Sequence, residues 1–154
     1  MSVSIVSNSL SIRTLMDLDF ANTRNLMASR FSRYDLQTFV DLWYWRNFGA
    51  SVCIEHSGSI LGFAIVFQNK LEYLVMDPEF EGLGYGKILV KCVVQLLKEQ
   101  GHKSVALMTA NDPTLRYWYA RQGFELSSSS KDSWGIRGDT MVIRFRPKRS
   151  VAAK

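Results

Sequence analysis

The sequence predicts an α/β fold with a mixed central sheet of about seven strands and about four helices. Two observations favour this class. Short runs rich in β-branched and aromatic residues occur along the whole chain, and longer stretches with helical spacing of apolar residues lie between them. The order that results is strand, two helices, three strands, helix, strand, helix and two strands, which is typical of a mixed sheet. With 154 residues and 47% hydrophobic content, the chain has enough apolar material for one core.

The first half of the chain predicts one strand, two helices and a hairpin. "LSIRTL" alternates apolar and polar residues and predicts a strand over residues 10–15. Asp17 can cap a helix that extends to about Phe31, and Asp35 can begin a second helix, "DLQTFVDLWYWRNF". "SVCIEH" and "ILGFAIVF" flank "SGS" and form a hairpin signal. A further strand, "KLEYLVM", follows.

The second half predicts two helices with a short strand between them and two final strands. Apolar residues recur with helical spacing over "ILVKCVVQLL", and Gly101 is a natural C-terminal stop. "SVALMT" predicts a buried strand. Asp112 and Pro113 can begin another helix, which Gly123 ends. "FEL" and "TMVIRF" predict the last two strands, and the polar stretch "SSSSKDSWGIRG" is expected to connect them.

Composition narrows the classes of function. No run of about 18 apolar residues is present, so we expect no membrane span. The first residues, "MSVSIVSNSLSIR", lack the pattern of a secretory signal. Cys53 and Cys92 form no C-x-x-C pair, which predicts reduced core thiols and a cytoplasmic location. His56 and His102 show no ligand spacing, so no metal is expected.

Charge and organisation leave the partner open. The formal charge of +5 suits an anionic partner without identifying it. We expect a single domain over residues 1–147 and a frayed basic tail over residues 148–154. A basic end of this kind is more often solvated than bound to nucleic acid, so nucleic-acid binding is a remote alternative. A homodimer is left open.

The stretch "DPEFEGLGYGK" places three glycines in five positions between a strand and a helix. Such a turn brings backbone N–H groups to a helix N-terminus, where the dipole favours an anion. The P-loop pattern fails, because Glu81 stands at its first glycine and Ile88 at its hydroxyl residue. The dinucleotide fingerprint also fails, because Lys87 stands where its last glycine should fall. On the loop alone, a tight turn without a ligand stays an alternative.

The loop resembles the pyrophosphate loop of the GNAT superfamily of N-acetyltransferases. In that family a strand ends near a proline, and the pattern Q/R-x-x-G-x-G/A opens a long helix. "LEYLVMDPEFEGLGYGKILV" is similar, with Gly84 and Gly86 at the two small positions. "NDPTLRYWYARQGFEL" resembles the family's later segment. The matching residues there are Asn111, Trp118, Tyr119, Gly123 and Phe124. The resemblance is good over residues 61–126.

The resemblance implies acetyl-CoA as co-substrate, with no metal, and a set of cofactor-binding positions. Backbone groups of Leu74, Val75 and Met76 would hold the pantetheine arm, and a Val75 or Met76 N–H could polarise the thioester carbonyl. The other implied cofactor-binding residues are Glu81, Gly82, Leu83, Gly84, Tyr85, Gly86, Lys87, Asn111 and Tyr119. Glu81 departs from the family pattern, which has Arg or Gln at this position. A carboxylate beside a pyrophosphate should repel it unless the side chain points away and only the backbone N–H is used. Lys87 could supply the missing positive charge or could simply be solvated.

Two residues carry the chemistry that the resemblance implies. Tyr119 matches the family's general acid to the departing thiolate, and Glu72 is the candidate base. An amine with a pKa near 10 is protonated at pH 7, so a proton must be removed before attack. The two-residue period of a strand would place Glu72 on the same face as Leu74 and Met76. The alternatives are a core aromatic for Tyr119 and a solvated carboxylate for Glu72.

The sequence therefore predicts an N-acetyltransferase that moves an acetyl group from acetyl-CoA to a primary amine by direct attack. The expected acceptor is cationic, such as a polyamine or a protein lysine, because Glu72 would place negative charge beside the ammonium. Trp43, Tyr44 or Trp45 either add cation–π attraction or belong to the core. The alternative function is a non-catalytic acyl-CoA-binding member of the family.

Overall fold

The chain forms one mixed sheet with helices on both faces. A computed structural model describes residues 10–31, 33–110, 112–131 and 137–146. The helices are α1 (Phe20–Arg30), α2 (Arg33–Trp45), α3 (Tyr85–Glu99) and α4 (Pro113–Arg121). The strands are β1 (Leu10–Thr14), β2 (Val52–His56), β3 (Ser59–Phe67), β4 (Lys70–Met76), β5 (Ser104–Ala110), β6 (Glu125–Lys131) and β7 (Arg137–Arg144). They lie in the order β1-β2-β3-β4-β5-β7-β6. The predicted α/β class and element order are confirmed.

Each face of the sheet has its own core. Under α3 and α4, residues such as Leu89, Val93 and Leu97 pack with Tyr119. Under α1 and α2, Met27 and Phe39 pack with strand residues of the opposite face. The stripe on α3 that the sequence indicated is therefore the helix face that contacts the sheet.

The sheet changes direction once, at its centre. β4 and β5 are parallel, whereas every other neighbouring pair of strands is antiparallel. Because α3 connects β4 to β5, its N-terminus lies at the end of β4. The glycine stretch thus lies beside the one parallel junction of the sheet.

The polar stretch after residue 126 is not only a connection, so that prediction is wrong in part. β6 continues to Lys131, and β7 begins at Arg137. Among the described strands, β6 lies at the edge of the sheet and pairs with β7 alone, and the side chains of an edge strand tolerate water. Serines there need no apolar partner, and the Ser129 hydroxyl donates to Asp139 Oδ1 at 2.6 Å.

The entry to α1 also differs from the prediction. Asp17 makes no side-chain cap and lies in a single 3-10 turn, Asp17–Asp19, that precedes the helix. The buried carboxylate of Asp19 accepts hydrogen bonds from the Met16 N–H at 2.7 Å and from both terminal nitrogens of Arg13 at 2.8 and 2.9 Å. The Arg13 guanidinium holds the pKa of Asp19 below its usual value. Helix α2 begins at Arg33, two residues before the predicted start.

Three other sequence predictions meet the structure only in part. Cys53 is buried and Cys92 half-buried; both are free thiols, and burial raises the pKa of Cys53 to about 11. Within the described ranges, no helix is long and apolar enough to cross a membrane. The predicted tail, residues 148–154, lies outside the described residues, so the domain boundary stays a prediction.

Candidate active site

A cleft of about 770 Å³ opens where β4 and β5 part. The two strands pair at only two positions, Lys70 with Ala106 and Leu71 with Leu107. Beyond Leu71, β4 has no described partner on its β5 side. The end of β4, the glycine loop and one face of α4 line the cleft, whose volume is in the range of small-molecule sites.

The free edge of β4 offers backbone groups to this cleft. The Asp77 N–H donates to the Leu61 carbonyl at 2.8 Å and therefore points towards β3. The Met76 carbonyl belongs to the same trans peptide and points the opposite way, towards the cleft. By the two-residue alternation, the N–H and C=O of both Leu74 and Met76 face the cleft, whereas those of Val75 face β3. Of the two amides predicted to polarise a thioester, the geometry thus favours Met76.

The glycine loop leaves the N-terminus of α3 uncapped. Gly84 is the N-cap at φ +87°, a left-handed conformation that favours glycine, and no side chain caps the helix. The first α-helical bond runs from the Ile88 N–H to the Gly84 carbonyl at 3.3 Å. The N–H groups of Tyr85, Gly86 and Lys87 therefore have no partner within the helix. All three residues line the cleft, where these donors and the helix dipole favour an anion.

The glycines have different reasons to be small. Gly82 shares the left-handed conformation of Gly84, at φ +79°. Gly86 does not have a positive φ, so its backbone conformation does not require glycine. A Cβ on Gly86 would lie 3.7 Å from the Trp118 ring, which is ordinary contact. Larger side chains at Gly86 would therefore push on α4 and fill the cleft.

The N-terminus of α4 also lines the cleft, but it is already satisfied. Asp112 is its N-cap, and its Oδ1 accepts from the N–H groups of Thr114 at 3.0 Å and Leu115 at 3.2 Å. Pro113 at the first helical position has no N–H. Only α3 therefore offers its first N–H groups to a ligand in this cleft.

Tyr119 lies at the inner wall of the cleft. It is 7% exposed, and its ring makes edge contacts with Trp118 at 4.9 Å and Phe124 at 5.7 Å between centroids. Burial raises the pKa of its hydroxyl to about 12. None of the hydrogen bonds between described residues uses this hydroxyl. Tyr119 is therefore protonated at neutral pH and is one of the residues that line the cleft.

Glu72 lies away from these groups. It does not line the cleft, and its carboxylate is 3.5 Å from the Lys70 ammonium. Glu72 is the extra residue of a β-bulge, because Ile65 pairs with Tyr73 while the next residue, Val66, pairs with Leu71. The two-residue period does not continue through a bulge, so the argument that Glu72 shares a face with Leu74 and Met76 fails.

Trp43, Tyr44 and Trp45 of α2 do not line the cleft. Trp43 is 3% exposed and packs in the core, and the Arg46 guanidinium lies 4.2 Å from its ring centroid. Tyr44 and Trp45 are exposed but do not line the cleft. The cation–π site that the sequence offered to an acceptor is thus occupied, at Trp43, by the protein's own Arg46.

Arg30 lines the cleft although nothing in the sequence indicated it. Its guanidinium forms an ion pair with Glu81, the residue that departs from the family pattern, and donates to the Met76 carbonyl at 3.2 Å. A carboxylate in an anion-binding loop suggests a nearby cation, but the sequence could not say which one. Asn111, which was predicted to bind the cofactor, lies outside the described residues.

The described part of the chain contains no group of three or more His, Cys, Asp or Glu side chains that could hold a metal ion. The protein is thus an α/β protein with a cleft at which three features meet: the open edge of β4, the uncapped N-terminus of α3 and the buried Tyr119. This arrangement suits an extended ligand with an anionic part at the N-terminus of α3.

Comparison with known proteins identifies the family. The profile of the acetyltransferase (GNAT) family matches residues 20–124. The chain belongs to this family, as the two sequence motifs predicted. No curated protein sequence matches the chain at a significant level.

Solved structures share the fold at low sequence identity. Ard1 from Thermoplasma volcanium is 21% identical with a TM-score of 0.73, over 90% of this chain and 99% of that one. The ribosomal-protein-S18-alanine N-acetyltransferase from Escherichia coli is 15% identical with a TM-score of 0.73, over 92% and 99%. A structure of yncA from Salmonella typhimurium with its cofactor acetyl-CoA is 13% identical with a TM-score of 0.68, over 96% and 100%.

Proposed function

We propose that this protein transfers an acetyl group from acetyl-CoA to a primary amine by direct attack. The observation that supports this most strongly is the convergence, in one cleft, of the uncapped α3 N-terminus, the free edge of β4 and Tyr119. Membership of the acetyltransferase family and the acetyl-CoA of the similar yncA structure supply the identity of the ligand.

Each part of the cleft has a proposed task toward acetyl-CoA. The N–H groups of Tyr85, Gly86 and Lys87 bind the pyrophosphate, aided by the helix dipole. The backbone of Leu74 and Met76 pairs with the pantetheine arm in the manner of an added strand. The Met76 N–H then donates to the thioester oxygen, on which negative charge develops during attack.

Tyr119 donates to the departing sulfur. A phenol with a pKa of about 12 stays protonated through neutral and mildly alkaline pH, so the donor form is always present. A thiol has a pKa near 8.5, so a thiolate is a moderately stable leaving group that hydrogen bonding stabilises further.

The acceptor that we propose is a cationic amine such as a polyamine or a protein lysine, since similar structures include a spermidine N-acetyltransferase and an aminoglycoside 6'-N-acetyltransferase. The Glu72 carboxylate does not line the cleft. In this proposal it therefore removes the proton of the amine through a water molecule and not by direct contact. Amines of the lysine type have a pKa near 10.4, so only about 0.04% is deprotonated at pH 7 and a base is needed. The α-amino group of a peptide has a pKa near 8, so about 9% is already deprotonated.

Release of free thiol from acetyl-CoA tests this function. Polyamines, aminoglycosides, lysine peptides and peptides with a free α-amino group should be compared, since the similar Escherichia coli protein is named for an alanine of a ribosomal protein. We expect acceptor-dependent release that favours the cationic amines. Tight binding of acetyl-CoA without release for any amine would indicate the non-catalytic alternative. The two free thiols also fit a reducing, cytoplasmic compartment.

A further inference from the structure

Arg30 joins two parts of the cofactor cleft that are distant in sequence. It is the last residue of α1, and its Nη2 forms an ion pair with Glu81 Oε1 at the start of the glycine loop. Its Nη1 donates to the Met76 carbonyl at 3.2 Å, on the edge of β4 that faces the cleft. The side chains are 31% and 48% exposed, so both remain accessible to a ligand.

The charge of the cleft depends on this pair. The charged residues among the described lining residues are Arg30, Glu81, Lys87, Asp112 and Arg121. Three cations and two carboxylates give a net charge of +1. Without Arg30 the net charge would be zero, and Glu81 would face the anion-binding end of α3 without its cation.

The size of that effect follows from Coulomb's law. A carboxylate about 6 Å from a phosphate, at an effective dielectric constant between roughly 20 and 80, weakens binding roughly 3- to 100-fold. An exposed ion pair contributes little to folding stability. Removal of Arg30 should therefore change the affinity for an anionic ligand far more than the stability of the fold.

We propose that Arg30 is a cofactor-binding residue, which cancels the charge of Glu81 and directs its own positive charge at the pyrophosphate of acetyl-CoA. This inference rests on the proposed function, because it deepens the assignment of the same cleft. α1 thereby supplies the cation that the loop itself lacks. The Arg30–Glu81 pair also holds the start of the glycine loop against the end of β4. The anion-binding N-terminus of α3 and the thioester-binding end of β4 therefore keep a fixed spacing.

The test compares two ligands across the wild type and three variants by calorimetry. Acetyl-CoA carries the pyrophosphate, whereas S-acetylpantetheine has the same thioester arm and no phosphate. We expect Arg30→Ala to weaken acetyl-CoA binding about ten- to hundred-fold and S-acetylpantetheine binding less than about threefold. Glu81→Ala should bind acetyl-CoA as well as the wild type or better. The double variant should recover most of the affinity that Arg30→Ala loses, because the repelling carboxylate is gone.

A charge swap gives a second, independent result. Glu81→Arg alone replaces the repelling carboxylate with a second cation and should bind acetyl-CoA as well as the wild type or better. Arg30→Glu alone places two carboxylates beside the anion-binding end of α3 and should weaken acetyl-CoA binding. Arg30→Glu combined with Glu81→Arg restores an ion pair and should restore the affinity. Arg24→Ala is the matched control, since Arg24 is an exposed arginine of the same helix that does not line the cleft.

The outcomes separate this inference from the proposed function. If the wild type does not bind acetyl-CoA, the proposed function fails. If the wild type binds and Arg30→Ala binds equally well, only the role of Arg30 is refuted. An equal loss for both ligands would show that Arg30 acts through the fold alone. A loss for acetyl-CoA only, which Glu81→Ala does not relieve, would refute the cancellation of the Glu81 charge. The loss should also shrink in high salt, because salt screens exposed charges.

Discussion

Replacing Tyr119 by phenylalanine should separate its chemical role from its packing role. The change removes only a hydroxyl that no described residue binds, and the ring contacts with Trp118 and Phe124 stay in place. We expect turnover to fall about a hundred- to ten-thousand-fold, the usual contribution of general acid–base groups. The affinity for acetyl-CoA should change little, since calorimetry reports the pyrophosphate and arm contacts.

The same variant has a second effect that can be worked out from the pKa. Below pH 10 the Tyr119 hydroxyl is protonated in both the folded and the unfolded chain. Between pH 10 and about 12 the unfolded chain loses this proton first, because burial raises the pKa in the folded chain to about 12. The unfolded chain then binds fewer protons, so the free energy of unfolding falls with rising pH, by up to about 3 kcal/mol.

Urea unfolding of the wild type and Tyr119→Phe between pH 8 and pH 12 measures this term. Cys53 and the other titrating groups contribute equally to both proteins, so the difference between the two curves isolates Tyr119. Tyr117→Phe is the control, because Tyr117 lies on the same helix, is 67% exposed and does not line the cleft. Wild-type turnover in Tyr119→Phe would show that Tyr119 is a core aromatic residue and not the general acid. If the free energies of unfolding of the two proteins change with pH in the same way, burial does not raise the pKa of Tyr119.

Three further predictions follow from the same contacts. Gly84→Ala should weaken acetyl-CoA binding about tenfold, because an alanine at φ +87° costs about 1–2 kcal/mol and the loop must move. Calorimetry that shows wild-type affinity in the folded variant would contradict this prediction. Glu72→Gln should lower kcat/KM most at neutral pH and for polyamines, and much less at high pH or for α-amino peptides, whose amines need less help to lose a proton. If the variant and the wild type have pH profiles of the same shape with both classes of acceptor, Glu72 is not the base. Asp19→Ala should lower the free energy of unfolding at pH 7 by about 1–3 kcal/mol, because it removes charge-assisted hydrogen bonds from Arg13, which keeps its ion pair with Glu55. The Asp19 pKa is lowered in the fold, so this contribution is present above the ordinary carboxyl pKa and is lost as pH falls through the folded pKa. Urea unfolding should therefore show a smaller difference between the variant and the wild type at pH 3 than at pH 7.

Local patterns in the sequence were enough for most of the fold. "KLEYLVM" is β4 without correction, and the apolar stripe after the glycines is the buried face of α3. Gly84 has the left-handed backbone that a loop of glycines suggests. These features depend on periodicity and backbone conformation, which neighbouring residues determine. The same is true of Asp112 and Pro113, which begin α4 as predicted.

Features that depend on tertiary neighbours could not be predicted. The serines of β6 belong to a strand because an edge strand exposes its side chains, and nothing local shows which strand will be at the edge. The bulge at Glu72 arises from the register between β3 and β4. Arg30 and Glu81 meet only because α1 ends beside the glycine loop. The sequence could indicate that Glu81 was anomalous, but only the fold supplies its partner.

The most direct test of the account follows the acetyl group through a single turnover. Enzyme in excess over acetyl-CoA is mixed with the best acceptor, and mass spectrometry and a thiol assay measure the acetylated amine, free thiol and any acetylated protein at successive times. The account predicts that thiol and acetylated amine appear together in equal amounts, and that no acetylated protein forms with or without the acceptor. Thiol release that precedes the amine product, with acetyl on the protein, would contradict direct attack in this cleft. Bound acetyl-CoA that stays intact with every amine would contradict the enzymatic function itself.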